Sequence, residues 1–254
     1  MDLCAAEVAV SPWRVWSPHA IHSGMSPSLL RLLGVVRHPK TSASSSSGRA
    51  AASPSASPAS ASQLARIVLQ PKDFPRGWKH TPSKLDPRIP ADNAAVTSEF
   101  LKCLGLPNQV PDQVAEAHSD DFARGDAHIS SVARSFRSQN TVDAGTAALQ
   151  SSKATRCFEQ QFASFPLPAG STFDLVSVKV TPGSAGGPAN VVATGVATAR
   201  ITVGGTAVEV YLSHAYIVGP LLAAGVDSFS AGAPVPESLM DSLIAAVANR
   251  AARP

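Results

Sequence analysis

Five side chains able to bind a metal fall within residues 118–128: His118, Asp120, Asp121, Asp126 and His128. A turn at Arg124-Gly125-Asp126 would fold 118–122 onto 126–130. Two imidazoles and three carboxylates suit a divalent ion. Their spacing follows no established metal pattern, however, and a solvated polar edge accounts for the same residues. No metal site and no cofactor is assigned. The Arg-Gly-Asp tripeptide needs no adhesive role, because Gly-Asp suits a tight turn. His214, Asp227 and Ser230 supply the residue types of a nucleophilic triad. Yet Ser228-Phe229-Ser230-Ala231-Gly232 lacks the first glycine of the G-x-S-x-G turn, and no helix is expected to start there. Loop polarity explains these residues without catalysis, so no catalytic residue is named. Gly183 to Gly187 (GSAGG) resembles a phosphate loop in composition alone and lacks the lysine. Phe74, Trp78 and Tyr216 are the aromatics placed to line a ligand groove, or to serve as core anchors.

These residues sit in a chain of uneven texture. Residues 41–62 hold 10 Ser, 7 Ala and 2 Pro in 22 positions and no large apolar side chain. Nothing there offsets the entropy of ordering the backbone, so the stretch reads as a linker. Residues 1–62 are therefore taken as tail and linker, and 63–254 as one domain. The tail contains a short apolar patch, Leu29 to Val36, interrupted by Arg31. It reads as a disordered or mis-started segment, or as a degenerate export signal. Cys4 has only three residues before it, which does not fit a lipidated cysteine.

Composition excludes several classes. No apolar run is long enough for a transmembrane helix. Three cysteines are too few for a disulfide scaffold or a zinc-finger array. The 21 Lys and Arg barely exceed the 18 Asp and Glu, which is far short of a nucleic-acid-binding patch.

The elements that must position the polar residues follow from patterning. Ser62 to Leu69 is a short amphipathic opening, followed by a Pro- and Gly-punctuated turn through Trp78. Residues 93–104 read as a helix, with Asn93 as N-cap and Val96, Phe100, Cys103 and Leu104 on one face. Residues 116–124 and 127–138 read as a strand pair. A helix runs from 140 or 141 to about 165, broken near Ser151-Ser152, with Cys157, Phe158, Phe162 and Phe165 close together. Strands are expected at 173–181, 191–203, 206–213 and 214–222. Gly204-Gly205 makes a hairpin turn, and Pro220 puts the last strand at an edge or a bulge. A final helix runs from Pro234-Val235-Pro236-Glu237 to about 251. Hairpin-linked strands with helices at one side or the ends make an α+β fold, an antiparallel sheet packed with helices. Cys103 and Cys157 each fall on an apolar helix face, either as a disulfide or as two buried thiols.

Several of these features come in a familiar order. Leu64 to Leu69 followed by Asp73-Phe74-Pro75-Arg76-Gly77-Trp78 resembles the "DLPxGW" entry of the actinobacterial PknH-like extracytoplasmic sensor domains and sensor-domain lipoproteins. Cys103 before Leu104-Gly105, Ser130 to Ala144 with Phe136 and Ser138, Cys157, and the helix ending at Arg250 agree with it. The resemblance covers about residues 63–253. It implies an exported, cell-envelope-associated domain that binds a ligand or a partner, and it offers no catalytic motif. It also favours a Cys103–Cys157 disulfide, since an oxidising compartment permits one. Closing a loop of that length stabilises by roughly 3–4 kcal/mol. The function expected is a non-enzymatic extracytoplasmic ligand-binding or sensor domain, for a small amphipathic or cell-envelope ligand. The alternatives are a serine hydrolase using Ser230 with His214, and a structural partner-docking domain.

Overall fold

The computed structural model describes residues 57–83, 99–107, 112–163, 171–183, 188–203 and 205–253. The Leu29–Val36 patch, Asn93, Val96, Phe165 and residues 184–187 lie outside them. Among the described residues no helix is long and apolar enough to cross a membrane.

An eight-stranded antiparallel sheet forms the centre of the domain. Its strands are β1 (Lys79–Thr81), β2 (Gln113–His118), β3 (Asp121–Arg124), β4 (Ala127–Phe136), β5 (Ser171–Pro182), β6 (Val191–Val203), β7 (Thr206–Gly219) and β8 (Leu222–Ala231). Their order is β1-β3-β4-β8-β7-β6-β5, with β2 also on β4. The strand expected over 116–124 is real but broken. Ser119 is buried at the break, where its hydroxyl accepts from Ser131 N at 2.9 Å and replaces a ladder bond. β2 and β3 thus share the same edge of β4, each along half its length.

Both expected tight turns are present. Arg124 pairs with Ala127 and Val203 with Thr206, and Gly125 and Gly205 take φ of 60° and 82°. The end of the sheet departs from expectation. Residues 206–213 and 214–222 do not form two strands; β7 runs unbroken to Gly219. Pro220 sits in the two-residue turn to β8, because Gly219 pairs with Leu222. Leu221 holds φ 53°, secured by Gln139 Oε1 accepting from its N–H and by its own carbonyl accepting from Phe136. β8, expected as loop, lies between β4 and β7.

Helices cover both faces of this sheet, where one side or the ends was expected. On the first face lie a helix over 99–104 (α2), Gln139–Leu149 (α3) and Ala154–Ala163 (α4). They pack Phe100, Leu101, Val142, Leu149 and Phe158 onto Val132, Phe136, Tyr216 and Phe229. On the second lie Ala61–Ile67 (α1) and Glu237–Ala251 (α5), with Leu64, Ile67, Leu243 and Val247 against Ile129, Val226 and Ile217. The alternation Tyr216/Ile217 on β7 assigns successive side chains to opposite cores.

The domain begins slightly before residue 63. Ser60 and Gln63 form a capping box at the start of α1, and buried Ala59 accepts from the Ser135 hydroxyl at 2.6 Å. Serine at these positions caps a helix, although its composition reads as linker.

Two braces hold the helices. Cys103 and Cys157 form a disulfide with a Cα–Cα distance of 5.6 Å, joining α2 to α4. On the other face Arg250 of α5 donates to the Ile67 and Val68 carbonyls and bidentately to Asp73, at 2.8 and 3.0 Å. Asp73 also accepts from Gln70 N. Burial works to raise the Asp73 pKa. The hydrogen bonds from Arg250 and Gln70, with the Arg250 charge, outweigh it and hold the carboxyl below its ordinary value.

Thiol titration of the denatured, non-reduced chain should count one free thiol of three. Three free thiols would refute the bridge. Asp73→Ala should cost about 1.5–3 kcal/mol at pH 7, measured by urea unfolding. The depressed pKa stabilises the fold at pH above the unfolded carboxyl value. The difference between wild type and variant should therefore shrink as pH falls below about 4.

Candidate functional site

Polar side chains inside an apolar sandwich are costly unless partnered. Where the partners run out, a ligand has something to bind. The first face of the sheet carries such a group. Val132 and Phe136 of β4 face the first core, so Ser130 and Arg134, two residues removed, share that face. The same alternation places His214 beside Tyr216 on β7, and Asp227 beside Phe229 on β8. Strand register then lines up Ser130, Asp227 and His214 across three strands. A second row runs His118, Val132, Gly225, Tyr216, and a third Glu116, Arg134, Ala223, Val218.

Two sets of hydrogen bonds occupy this face. His214 Nδ1 meets Asp227 Oδ1 at 2.6 Å, both side chains 6% exposed. Glu116 accepts from both His118 Nε2 and Arg134 Nε. Burial would raise the Glu116 pKa. The His118 hydrogen bond, the Arg134 charge and the Arg134 hydrogen bond outweigh it and keep the carboxylate ionised well below the usual range. Burial also pushes the Tyr216 phenol upward, with Arg134 pulling it back only in part, so the phenol stays protonated.

Among the buried atoms of this cluster, Arg134 Nη1, Tyr216 Oη and His214 Nε2 have no hydrogen-bond partner. They belong to one face, although register sets Arg134 two strands across and four residues along from His214. His214 and Tyr216 are two residues apart on one strand, and the charge of Arg134 reaches the Tyr216 ring. Beside His214 is a cavity of about 10 Å³ walled by Phe158, Val178, Val180, Ala197 and Leu212. That is room for about one water.

The structure separates the triad residue types. Asp227 and His214 pair on the first face. Ser230, three residues beyond Asp227 on an unbroken strand, points to the second face with Ser228, whose hydroxyl is 2.6 Å from that of Ser213. In the row on the first face Asp227 stands between Ser130 and His214, so the imidazole is not interposed between serine and carboxylate. The polarity of 227–230 belongs to a buried central strand; the expectation of loop polarity is corrected.

The 118–128 carboxylates and imidazoles disperse. His118 pairs with Glu116, and Asp120 is 2.7 Å from His80 on β1. Among the described residues no three His, Cys, Asp or Glu side chains gather to hold a metal. The proposed groove aromatics divide too. Phe74 stacks on Phe122 at 3.9 Å and meets Trp78 at 5.2 Å, on the second-face core, whereas Tyr216 is enclosed in the first. Glu116 and Arg134 were not singled out in the sequence. The available signal was an arginine in an alternating apolar strand, which demands a buried carboxylate.

Glu116→Gln leaves the Arg134 guanidinium enclosed without its anion. The loss should be about 2–4 kcal/mol at pH 7, lessened because Glu116 itself is 29% exposed. Because its folded pKa is depressed, the wild-type advantage should fade as pH falls below about 4. Urea unfolding at pH 7 and pH 3 measures both. Compared with family models, curated proteins and solved structures, the chain matches none.

Proposed function

We propose that this chain is a non-enzymatic ligand-binding or sensor domain working outside the cytoplasm, in or near the cell envelope. One observation carries the reading: three buried polar atoms on one sheet face have no protein partner. A folded domain leaves such atoms unfilled at a cost of about 1–3 kcal/mol each, which a bound molecule relieves. The apolar side chains around His214 suit the carbon part of a small amphipathic ligand. The Cys103–Cys157 bridge supports an oxidising compartment, in keeping with the resemblance to extracytoplasmic sensor domains.

A second reading, a serine hydrolase, draws on the His214–Asp227 pair. The opposite facing of Ser230 weighs against it. The structural docking domain has no comparable support, since it leaves the enclosed polar atoms unexplained.

Native mass spectrometry of the chain purified from its own source should find a co-purifying molecule of small mass, released on unfolding. A fluorophosphonate probe should leave the chain unlabelled. Stoichiometric labelling, lost in Ser230→Ala, would replace the binding reading with the hydrolase.

A further inference from the structure

We propose that the seam between α4 and β5 takes the hydrocarbon chain of a single-chain amphiphile whose head is anionic. This rests on the binding reading above and names its ligand class.

Packing of the first layer is incomplete at this seam. Four side chains of β5 turn to the first core: Phe173, Leu175, Val178 and Val180. All four stay only half-buried, although α4 packs against their strand. Together they make an apolar strip roughly 20 Å long. Behind its Val180 end lies the cavity of about 10 Å³, between Phe158 of α4, Val178 and Val180 of β5 and Leu212 of β7. Its floor is Gly195 of β6, which pairs with Val180 on one side and His214 on the other. A Cβ on Gly195 would meet nothing closer than Val180 Cγ2 at 3.9 Å. A side chain has room there, and the sequence leaves the space open. An unfilled apolar space forfeits dispersion contacts. Methylene groups restore them and need no polar partner. At the mouth, the Val180 N–H donates to the Thr155 hydroxyl at 3.3 Å. Widening the seam breaks this long bond, while the Cys103–Cys157 bridge keeps α4 fastened to α2.

Charge sets the head group. Lys153, Arg156 and Lys179 are exposed and lie within two residues of that bond. Among the described residues none of the three is in an ion pair. Glu159 is the only acidic side chain on α4, so the balance at the mouth is positive. The one carboxylate of β5, Asp174, stands toward the far end of the strip, opposite Arg200. An anionic head at the Val180 end meets complementary charge, and a cationic head meets repulsion.

The test uses the full chain with its disulfide intact. Dodecanoate, dodecanol and dodecyltrimethylammonium, each below its micelle concentration, are titrated by calorimetry and by methyl NMR. Dodecanoate should saturate one site and move the Val178, Val180 and Leu212 methyl resonances. Dodecyltrimethylammonium should bind roughly tenfold more weakly, with dodecanol between them. Gly195→Val fills the cavity floor and should weaken dodecanoate about tenfold, with urea unfolding confirming a folded domain. Gly195→Ala, the smaller filler, should weaken it less, and it decides the matter if the valine prevents folding. Lys153→Glu with Arg156→Glu and Lys179→Glu should reverse the order of the two charged probes and leave dodecanol unchanged. Absence of saturable dodecanoate binding would overturn the proposal. So would methyl shifts that miss the seam, wild-type binding in both Gly195 variants, or equal binding of the two charged heads. The broader binding reading is judged apart, by the co-purifying mass. A mass that is no anionic single-chain amphiphile sinks this ligand class and leaves that reading standing.

Discussion

β8 is covered on both faces, and the rest of the fold is arranged around that burial. Residues 222–230 are all enclosed, with β4 on one edge and β7 on the other. Such a strand must be built from small or apolar side chains, so that helices can approach from either side. Leu-Ala-Ala-Gly-Val meets that demand. The Asp-Ser-Phe-Ser that follows keeps polar groups in the interior only where neighbours answer them. Asp227 is met by His214 across β7, and Ser228 by Ser213. The interior polarity of this domain is thus a property of its central strands.

The two helical layers are fastened at different places and by different chemistry. The disulfide ties α2 to α4 above the first face. The Arg250 guanidinium ties α5 to the end of α1 and to Asp73 beneath the second. The latter gives the Asp73-Phe74-Pro75-Arg76-Gly77-Trp78 segment a structural role. Asp73 receives the arginine, and Phe74 and Trp78 close the core over Phe122. Close approach of α5 also explains Gly219, where a Cβ would stand 2.2 Å from the Ala251 carbonyl oxygen.

Much of the architecture was legible in the sequence. The break between α3 and α4, the turns at Gly125 and Gly205, and the last helix all follow from local periodicity and from glycine's tolerance of positive φ. The pairing of Cys103 with Cys157 was legible through helix faces together with a family resemblance. β8 was not, because a strand buried on both faces has no alternation, and Gly225, Asp227 and Ser228 carry low strand propensity. Its stability comes from both flanking strands: β7, its hairpin partner, and β4, far earlier in the sequence. The start of the domain was obscured for a related reason: Ser60 has the composition of a linker and the hydrogen bonds of a cap.

The candidate site divides along the same line. The sequence by itself determined which residue types were available: His214, Asp227, Tyr216 and Ser230, with helices and strands to carry most of them. Only the tertiary structure decided which of them meet. An odd separation along a strand sends two side chains to opposite faces, and this placed Ser230 away from Asp227. Register across β4, β8 and β7 then brought Arg134, distant in sequence, to the face of Tyr216 and His214. Side-chain chemistry is local, but the desolvation that leaves three polar atoms without partners arises only when separate strands and helices close over them.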